Sequence, residues 1–290
     1  MSDLTARELI DRRYSCRTYL PEPIGAVERQ QLVDYVARIK EGPLGSPVRF
    51  GLIAASPGDR EALKRLGTYG FIKGATGFIV GAVGRAPKDL EDYGYQLEQV
   101  ILFATGLGLG TCWLGGTFTR STFVRRFGGL RRGETMPAVV SIGLIGDDGT
   151  ARIREREEGS RRMRSPELFF EGRFGEPLDT GAVGAYAEAL EAVRMAPSAT
   201  NKQPWRIVRD GARWHFFLRR TRGYGKGSAL FTVLRISDLQ RVDLGIAMNH
   251  FELVAREHGL EGTWVVQDPG IALPGRDAEY VATWAAKTPA

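Results

Sequence analysis

Apolar residues recur along this chain at two spacings. Leu97, Val100, Ile101 and Ala104 share one helical face and predict a helix over Leu90 to Thr105. The same period predicts helices over Ile24 to Ile39, Ala182 to Met195 and Asp238 to His258. Thr5 and Glu8 form a capping box, with Leu4 and Leu9 placed as its hydrophobic staple, so the chain opens on a further helix. Short apolar runs predict buried strands at Arg49 to Ala55, Thr76 to Val83, Ala138 to Ile145, Trp205 to Val208, Arg213 to Leu218 and Thr263 to Val266. Between the first two, Ser56-Pro57 begins a short helix, serine as cap and proline at the first position.

The order of elements occurs twice. Gly245 follows Gly94 by 245 − 94 = 151 residues, and Trp264 follows Trp113 by the same interval. Within that frame Gly108 matches Gly259 and Thr111 lies opposite Gly262. Each segment is a helix, a glycine stop and a Trp-bearing strand, which predicts an internal repeat. Pro47-Val48-Arg49-Phe50 resembles Pro204-Trp205-Arg206-Ile207 at an offset of 204 − 47 = 157, and a loop difference accounts for the drift. Residues 147 to 176 carry Asp147-Asp148-Gly149 and a charge-dense run through Arg164, the best linker candidate. The predicted organisation is a first half at 1–150, a linker or crossover at 151–176 and a second half at 177–290.

Composition narrows the function classes. With 290 residues and 43% hydrophobic content the chain buries a sizeable core. The net charge of +6 suits an arginine-rich solvated surface or a phosphorylated ligand. Arg125-Arg126 and Arg131-Arg132 form no aromatic-basic stripe, so nucleic acid is not an expected partner. Two cysteines, Cys16 and Cys112, and three histidines show no metal-ligand spacing. His215, His250 and His258 fall on strand or helix faces. The first residues hold no apolar signal core, and Thr76 to Val83 is too short to span a bilayer, so a cytoplasmic protein without membrane contact is expected.

Two segments carry candidate chemistry. Arg13-Tyr14-Ser15-Cys16-Arg17-Thr18-Tyr19 places two guanidinium forks and a hydroxyl where they suit a phosphate. Read as bare structure, it is an exposed helix end with cations that match the helix dipole. Pro197-Ser198-Ala199-Thr200-Asn201-Lys202-Gln203-Pro204-Trp205 offers uncharged donors and acceptors on a backbone stiffened by proline, which suits the edge of a polar heterocycle. Alone, it also reads as a helix-to-strand turn stitched by its own side chains. Two glycine-rich stretches fail as nucleotide motifs. Gly106-Leu107-Gly108-Leu109-Gly110 follows a helix rather than a strand, and in Gly223-Tyr224-Gly225-Lys226-Gly227-Ser228 glycine follows the lysine, leaving a loop or a lid.

Together the two segments resemble the FMN-dependent nitroreductase family, whose flavin sits between two subunits. Arg13, Ser15, Arg17 and Tyr19 fit its Arg-x-Ser-x-Arg/Lys-x-aromatic segment. Pro197, Ser198, Asn201, Gln203, Pro204 and Trp205 fit its Pro-Ser-x-x-Asn-x-Gln-Pro-Trp segment. Gly108, Gly110, Cys112 and Trp113 match a third, Gly-Leu-Gly-x-Cys-Trp. The first half's version of the second segment, Pro43-Leu44-Gly45-Ser46-Pro47, lacks the Asn and Gln, and Phe174 to Gly184 holds no Arg-x-Ser-x-Arg. The resemblance therefore implies a nitroreductase-like α+β fold of two tandem repeats packed as an intramolecular pseudo-dimer, with one composite flavin site and one degenerate site.

It also assigns roles. Arg13, Tyr14, Ser15 and Arg17 would hold the phosphate, ribityl chain and pyrimidine edge, with Arg162 and Arg164 as the family's later basic pair. Pro197, Ser198, Ala199, Asn201 and Gln203 would approach the ring from the other half, and Gly115 and Gly116 would bring a backbone N–H near flavin N5. Loss of Arg17 or Asn201, but not change at Leu44, would strip flavin. The implied reaction is ping-pong hydride transfer from NAD(P)H through flavin N5 to a small nitroaromatic or quinone-like acceptor, by a monomer that needs no metal and no protein acid or base. Dehalogenation, azoline oxidation, cleavage of flavin itself, or a flavin-binding or flavin-less protein without turnover are the alternatives.

Overall fold

The capping box forms as predicted: the Glu8 N–H donates to Thr5 Oγ1 at 3.1 Å and the Thr5 N–H to Glu8 Oε2 at 2.8 Å. It starts α1 (Ala6–Arg12), and the first half continues through α2 (Ala26–Arg38), β1 (Val48–Ala54), β2 (Gly77–Gly84), α3 (Asp89–Gly106), β3 (Leu109–Leu114), α4 (Arg120–Arg126), β4 (Glu134–Thr135) and β5 (Val139–Leu144). The second half holds α5 (Ser165–Leu168), β6 (Phe169–Glu171), α6 (Tyr186–Met195), β7 (Trp205–Asp210), β8 (Arg213–Arg219), α7 (Leu239–Glu257), β9 (Gly262–Val265) and β10 (Ala278–Ala286). This computed structural model describes residues 4–54, 63, 66–146, 162–224 and 236–287. The predicted Ser56-Pro57 helix, the charge run up to residue 161 and the glycine-rich loop beyond Tyr224 lie outside the described residues.

Two five-stranded sheets result. The first has the order β1-β2-β5-β3, antiparallel throughout, with β4 pairing β2. The second has the order β6-β7-β8-β10-β9, antiparallel except that β6 runs parallel to β7. Beyond β6, the second sheet follows the chain in the same sequence of steps as the first.

Helices α3 and α7 are buried on nearly every face and pack against each other between the sheets. Their crossing explains one pair of matched glycines. A Cβ on Gly94 would stand 2.1 Å from the Val242 carbonyl oxygen, and one on Gly245 would stand 1.9 Å from that of Glu91. Only glycine lets the two backbones approach this closely. The contact is reciprocal, since Val242 also follows Glu91 by 242 − 91 = 151 residues. Arg241 locks the crossing, its Nε donating to both Glu91 carboxylate oxygens at 2.9 and 3.1 Å. The second matched pair, Gly108 (φ +77°) and Gly259 (φ +71°), turns each helix end into its strand through the left-handed region.

The structure departs from the sequence reading at several places, α4 and β4 among them. The stretch assigned to the linker already contains α5 and β6, because Phe169 is needed in the second core and its strand pairs with β7. The helix predicted from Ala182 begins only at Tyr186, since Gly184 at φ +58° separates it from a 3₁₀ turn at Thr180–Ala182. β10 was not predicted, although Tyr280, Val281, Thr283 and Trp284 favour a strand; β8 and β9 supply its ladder from both sides. Among the described residues no helix is long and apolar enough to cross a membrane.

Candidate functional site

The arginine segment leaves α1 at Arg13, whose ψ of 128° ends the helix. It then runs extended along β3, the sheet's edge. Ser15 bridges Thr111 in parallel, and the Cys16 N–H donates to the Thr111 carbonyl at 2.9 Å. On the other side the Lys73 N–H donates to the Arg17 carbonyl at 2.9 Å. Ser15 and Arg17 are thereby fixed beside the end of β3, where Gly115 and Gly116 follow.

The Pro-Ser-x-x-Asn segment lies between α6 and β7 and is strained. Thr200, Asn201 and Gln203 all have positive φ, at 51°, 55° and 47°. Such conformations cost roughly 1–3 kcal/mol each and persist only where neighbours enforce them. Here Ser198 Oγ accepts from the Gln203 N–H at 2.9 Å, and the Gln203 side-chain oxygen accepts from the Met163 N–H at 2.8 Å. The Asp243 carboxylate of α7 accepts the Ala199 N–H at 3.0 and 3.2 Å.

These two segments wall a single cavity of about 450 Å³. The first half contributes Ser15, Arg17, Gly115 and Gly116, and the second Pro197, Ser198, Ala199 and Asp243. Its volume falls in the range of roughly 300–1,000 Å³ usual for small-molecule sites. The floor is apolar, with Leu239, Val242 and Ile246 of α7 facing Trp113. Among the described lining residues Arg17 is the one base and Asp243 the one carboxylic acid. Gly115 keeps its wall bare: a Cβ there would meet the Leu239 side chain at 2.6 Å.

Other predicted residues sit behind the wall. Arg13 is buried beside Glu98, Nε to Oε1 3.7 Å, and does not line the cavity, because α3 presents that carboxylate directly to it. Tyr14 hydrogen-bonds the Cys16 thiol. Arg162 caps α6, donating to the Ala196 and Met195 carbonyls at 2.6 and 2.9 Å, and it reaches Asn201 Oδ1 at 3.3 Å. Helix-end carbonyls attract a cation, which explains why it faces the helix rather than the cavity. Arg164 points to solvent and pairs with Glu167 at 3.2 Å. Asn201 and Gln203 shape the loop from within.

Behind Arg13, Glu98 is fully buried and accepts from Trp113 Nε1 at 2.8 Å; His250 Nε2 lies 3.0 Å from its other oxygen. Burial alone would raise the Glu98 carboxyl, but the hydrogen bond and charge of His250, together with Arg13 and Trp113, outweigh it and hold it below the usual range. The arginine segment is thus anchored to the central helix pair.

The sequence profile of a family described as "Putative TM nitroreductase" matches residues 5–255. The chain belongs to this family. A "putative nitroreductase" from Thermotoga maritima is similar in fold at 18% identity, with a TM-score of 0.61 over 98% of this chain and 95% of that one. A nitroreductase family protein from Clostridium difficile aligns at 21% identity and a TM-score of 0.42, over 57% of this chain and 96% of that one. A "putative nitroreductase in complex with FMN" from Desulfovibrio desulfuricans aligns at 18% identity and a TM-score of 0.38, over 52% and 96%. No curated protein sequence matches the chain. The α+β, nitroreductase-like fold expected from the motifs is therefore the fold the chain has.

The sequence reading passed over two parts of this site. Asp243 belongs to an Asp-x-Gly repeated at the same interval, Asp92-Tyr93-Gly94 and Asp243-Leu244-Gly245, and that repeat was its available signal. The exposed Phe71 also lines the cavity, an aromatic outside any motif and so without a local signature, and Tyr224 of the glycine-rich stretch lines it from the other half.

Proposed function

We propose that the chain is an FMN-dependent NAD(P)H oxidoreductase with one composite site, acting on a planar electron-poor acceptor of nitroaromatic or quinone type. The observation that carries this reading is the cavity itself, which joins Ser15, Arg17 and the Gly115-Gly116 backbone to Pro197, Ser198 and Ala199 from the other half. The residues fit the cofactor chemically. Arg17 and Ser15 suit its anionic and hydroxylated parts. The bare backbone at Gly115 admits a flat ring, and Leu239, Val242 and Ile246 supply apolar surface for one face. FMN, when bound, supplies the two-electron chemistry, taking hydride from NAD(P)H and delivering it to the acceptor.

The chain's residues would position and insulate. Arg17 places positive charge at the cavity, which favours a ligand that gains negative charge on reduction. The apolar wall of α7 excludes water. Phe71, 57% exposed yet lining the cavity, offers a ring against which a planar substrate stacks.

The same reading holds the two halves to be tandem repeats packed as an intramolecular pseudo-dimer. The matching strand orders and the reciprocal Gly94 and Gly245 contacts support it. The direct test is the visible spectrum of the purified protein after addition of excess FMN and removal of the free fraction. One retained equivalent per chain that NAD(P)H bleaches is the expected result. Two equivalents overturn the single-site reading, and none from folded protein overturns the redox function.

A further inference from the structure

His250 of α7 is fully buried between two oxygens that lie on either side of its ring. Nδ1 stands 2.9 Å from the Ala192 carbonyl of α6, and Nε2 stands 3.0 Å from Glu98 Oε1 of α3. A carbonyl and an ionised carboxyl can only accept. A neutral imidazole has one N–H and one bare nitrogen, so it can serve one of these oxygens while turning a lone pair on the other. The geometry therefore needs one proton more than a neutral ring and an ionised Glu98 supply. The low-lying Glu98 carboxyl assigns that proton to the ring, which then donates from both nitrogens.

Arg13 competes for the same carboxylate and is left short. Its Nε stands 3.7 Å from Glu98 Oε1, beyond hydrogen-bond reach, and is buried without a partner. Glu98 Oε2 is taken by the Trp113 indole N–H at 2.8 Å. One carboxylate thus faces two buried cations, and the cluster keeps an excess of positive charge. That excess lies behind the composite cavity, since Trp113 lines it, as do Ser15 and Arg17, which follow Arg13 by two and four positions. The charge also reaches the wall: burial raises the Cys112 thiol, and Arg17 and Arg13 oppose that shift. The pair is not repeated at the corner of Trp264. Its matches are Asn249, with 249 − 98 = 151, and Gln99, with 250 − 99 = 151, and both are uncharged.

We propose that His250 is a charge-setting residue of the composite site: as a protonated imidazole it occupies the Glu98 carboxylate, and so leaves the Arg13 charge uncompensated for the anionic part of a bound ligand. In the flavin reading, on which this inference rests, that part is a phosphate monoester. His250 acts through Glu98 and Arg13 and does not itself line the cavity. Buried charges are little screened and act across several ångströms of protein.

The test is a double-mutant cycle on FMN affinity at pH 7, read by fluorescence on folded protein below each variant's melting temperature. His250→Gln keeps an N–H for Glu98 but carries no charge, so the ionised Glu98 neutralises Arg13 and the excess is gone. FMN affinity should then fall about tenfold or more. Glu98→Gln removes the anion and the extra proton together, since a neutral ring accepts from the amide. The excess persists, and affinity should stay within about threefold of the wild type. Adding Glu98→Gln to His250→Gln should restore what His250→Gln lost. A double variant as weak as His250→Gln, or weaker, marks His250 as packing alone and overturns the inference.

Two further readouts do without FMN. Nitrogen-15 NMR of the wild type at pH 7 should show both His250 ring nitrogens protonated, and one bare nitrogen would refute the assignment. Inorganic phosphate, compared with chloride at equal ionic strength, should raise the melting temperature of the wild type and the double variant more than that of His250→Gln. If that order holds but the wild type retains no FMN, the flavin reading fails and the charge assignment stands. If the wild type retains FMN but neither order appears, the charge assignment fails and the flavin reading stands.

Discussion

At Trp113 and at Trp264 the chain builds the same corner twice and uses it differently. Each indole donates to a buried carboxylate, Trp113 to Glu98 at 2.8 Å and Trp264 to Glu252 at 2.6 Å. Beside Trp113 stand Cys112, Pro197 and Ile246, and they wall the cavity. Beside Trp264 stand Thr263, Pro43 and Tyr95, which line a more open cleft. Tyr95 holds the place of Ile246, and its hydroxyl donates to Glu252 at 2.7 Å. Arg256 joins the same carboxylate at 2.6 Å. A polar cluster thus stands where the first corner has an apolar floor.

Charge is distributed just as unequally behind the two corners. Glu98 gathers Arg13, His250 and Trp113, whereas Asn249, its match 249 − 98 = 151 residues on, is fully buried with neither amide atom hydrogen-bonded among the described residues. The difference teaches that two corners built on the same frame need not offer the same chemistry. They differ in Tyr95 against Ile246 and in Glu98 against Asn249.

The largest effect tests whether the halves meet as described. Gly94→Ala and Gly245→Ala each drive a Cβ into opposing backbone, which neither helix can yield without losing the crossing. Both should destabilise by about 4 kcal/mol or more and abolish soluble folded protein in a thermal melt. Tolerance of either change would break the reciprocal crossing.

Next comes Glu98→Gln, which leaves Arg13 and His250 buried beside a neutral amide. Loss of one partner from a buried charged group costs about 3 kcal/mol, read by denaturant unfolding at pH 7. The sign with pH follows from the lowered carboxyl. Its stabilisation is complete above the unfolded value, about 4.3, and disappears as pH falls through the folded value, so the variant should lack that part of the acid transition. An unchanged acid limb would assign Glu98 no electrostatic part.

A smaller effect sharpens the comparison of the two corners. Arg17→Ala should weaken FMN binding roughly 10–100-fold in a fluorescence titration, the value of one charge-assisted hydrogen bond. Arg256→Ala, at the cleft beside Trp264, should leave it unaltered. The reverse outcome would place the ligand at the other corner.

The smallest concerns Asn249→Leu, which removes an unpaired buried amide of similar volume and should stabilise the protein by about 1 kcal/mol, visible as a raised unfolding midpoint. Destabilisation would reveal a partner for the amide.

Much of this architecture was legible in the residues alone. The helices at Leu90 to Thr105 and Asp238 to His258 were readable because both span many turns with repeated apolar faces, and their caps fall at the glycines that end them. The Arg-x-Ser-x-Arg and Pro-Ser-x-x-Asn segments were readable because each packs its chemistry into a few consecutive positions. What sequence could not decide was which of those side chains face the cavity. Arg13, Arg162 and Gln203 turn to Glu98, to the α6 carbonyls and to Met163 because unpaired charges and backbone groups in the interior are costlier than a lost ligand contact. Asp243 and Tyr95 acquire their roles from helix packing between segments about 150 residues apart, where each is matched or mismatched to a neighbour that no local pattern names. Local periodicity and motif chemistry set the elements and the candidate ligand-contacting segments; packing across the two central helices decided which side chains reach the cavity, Ile246 leaving an apolar floor beside Trp113 while Tyr95 binds Glu252 beside Trp264.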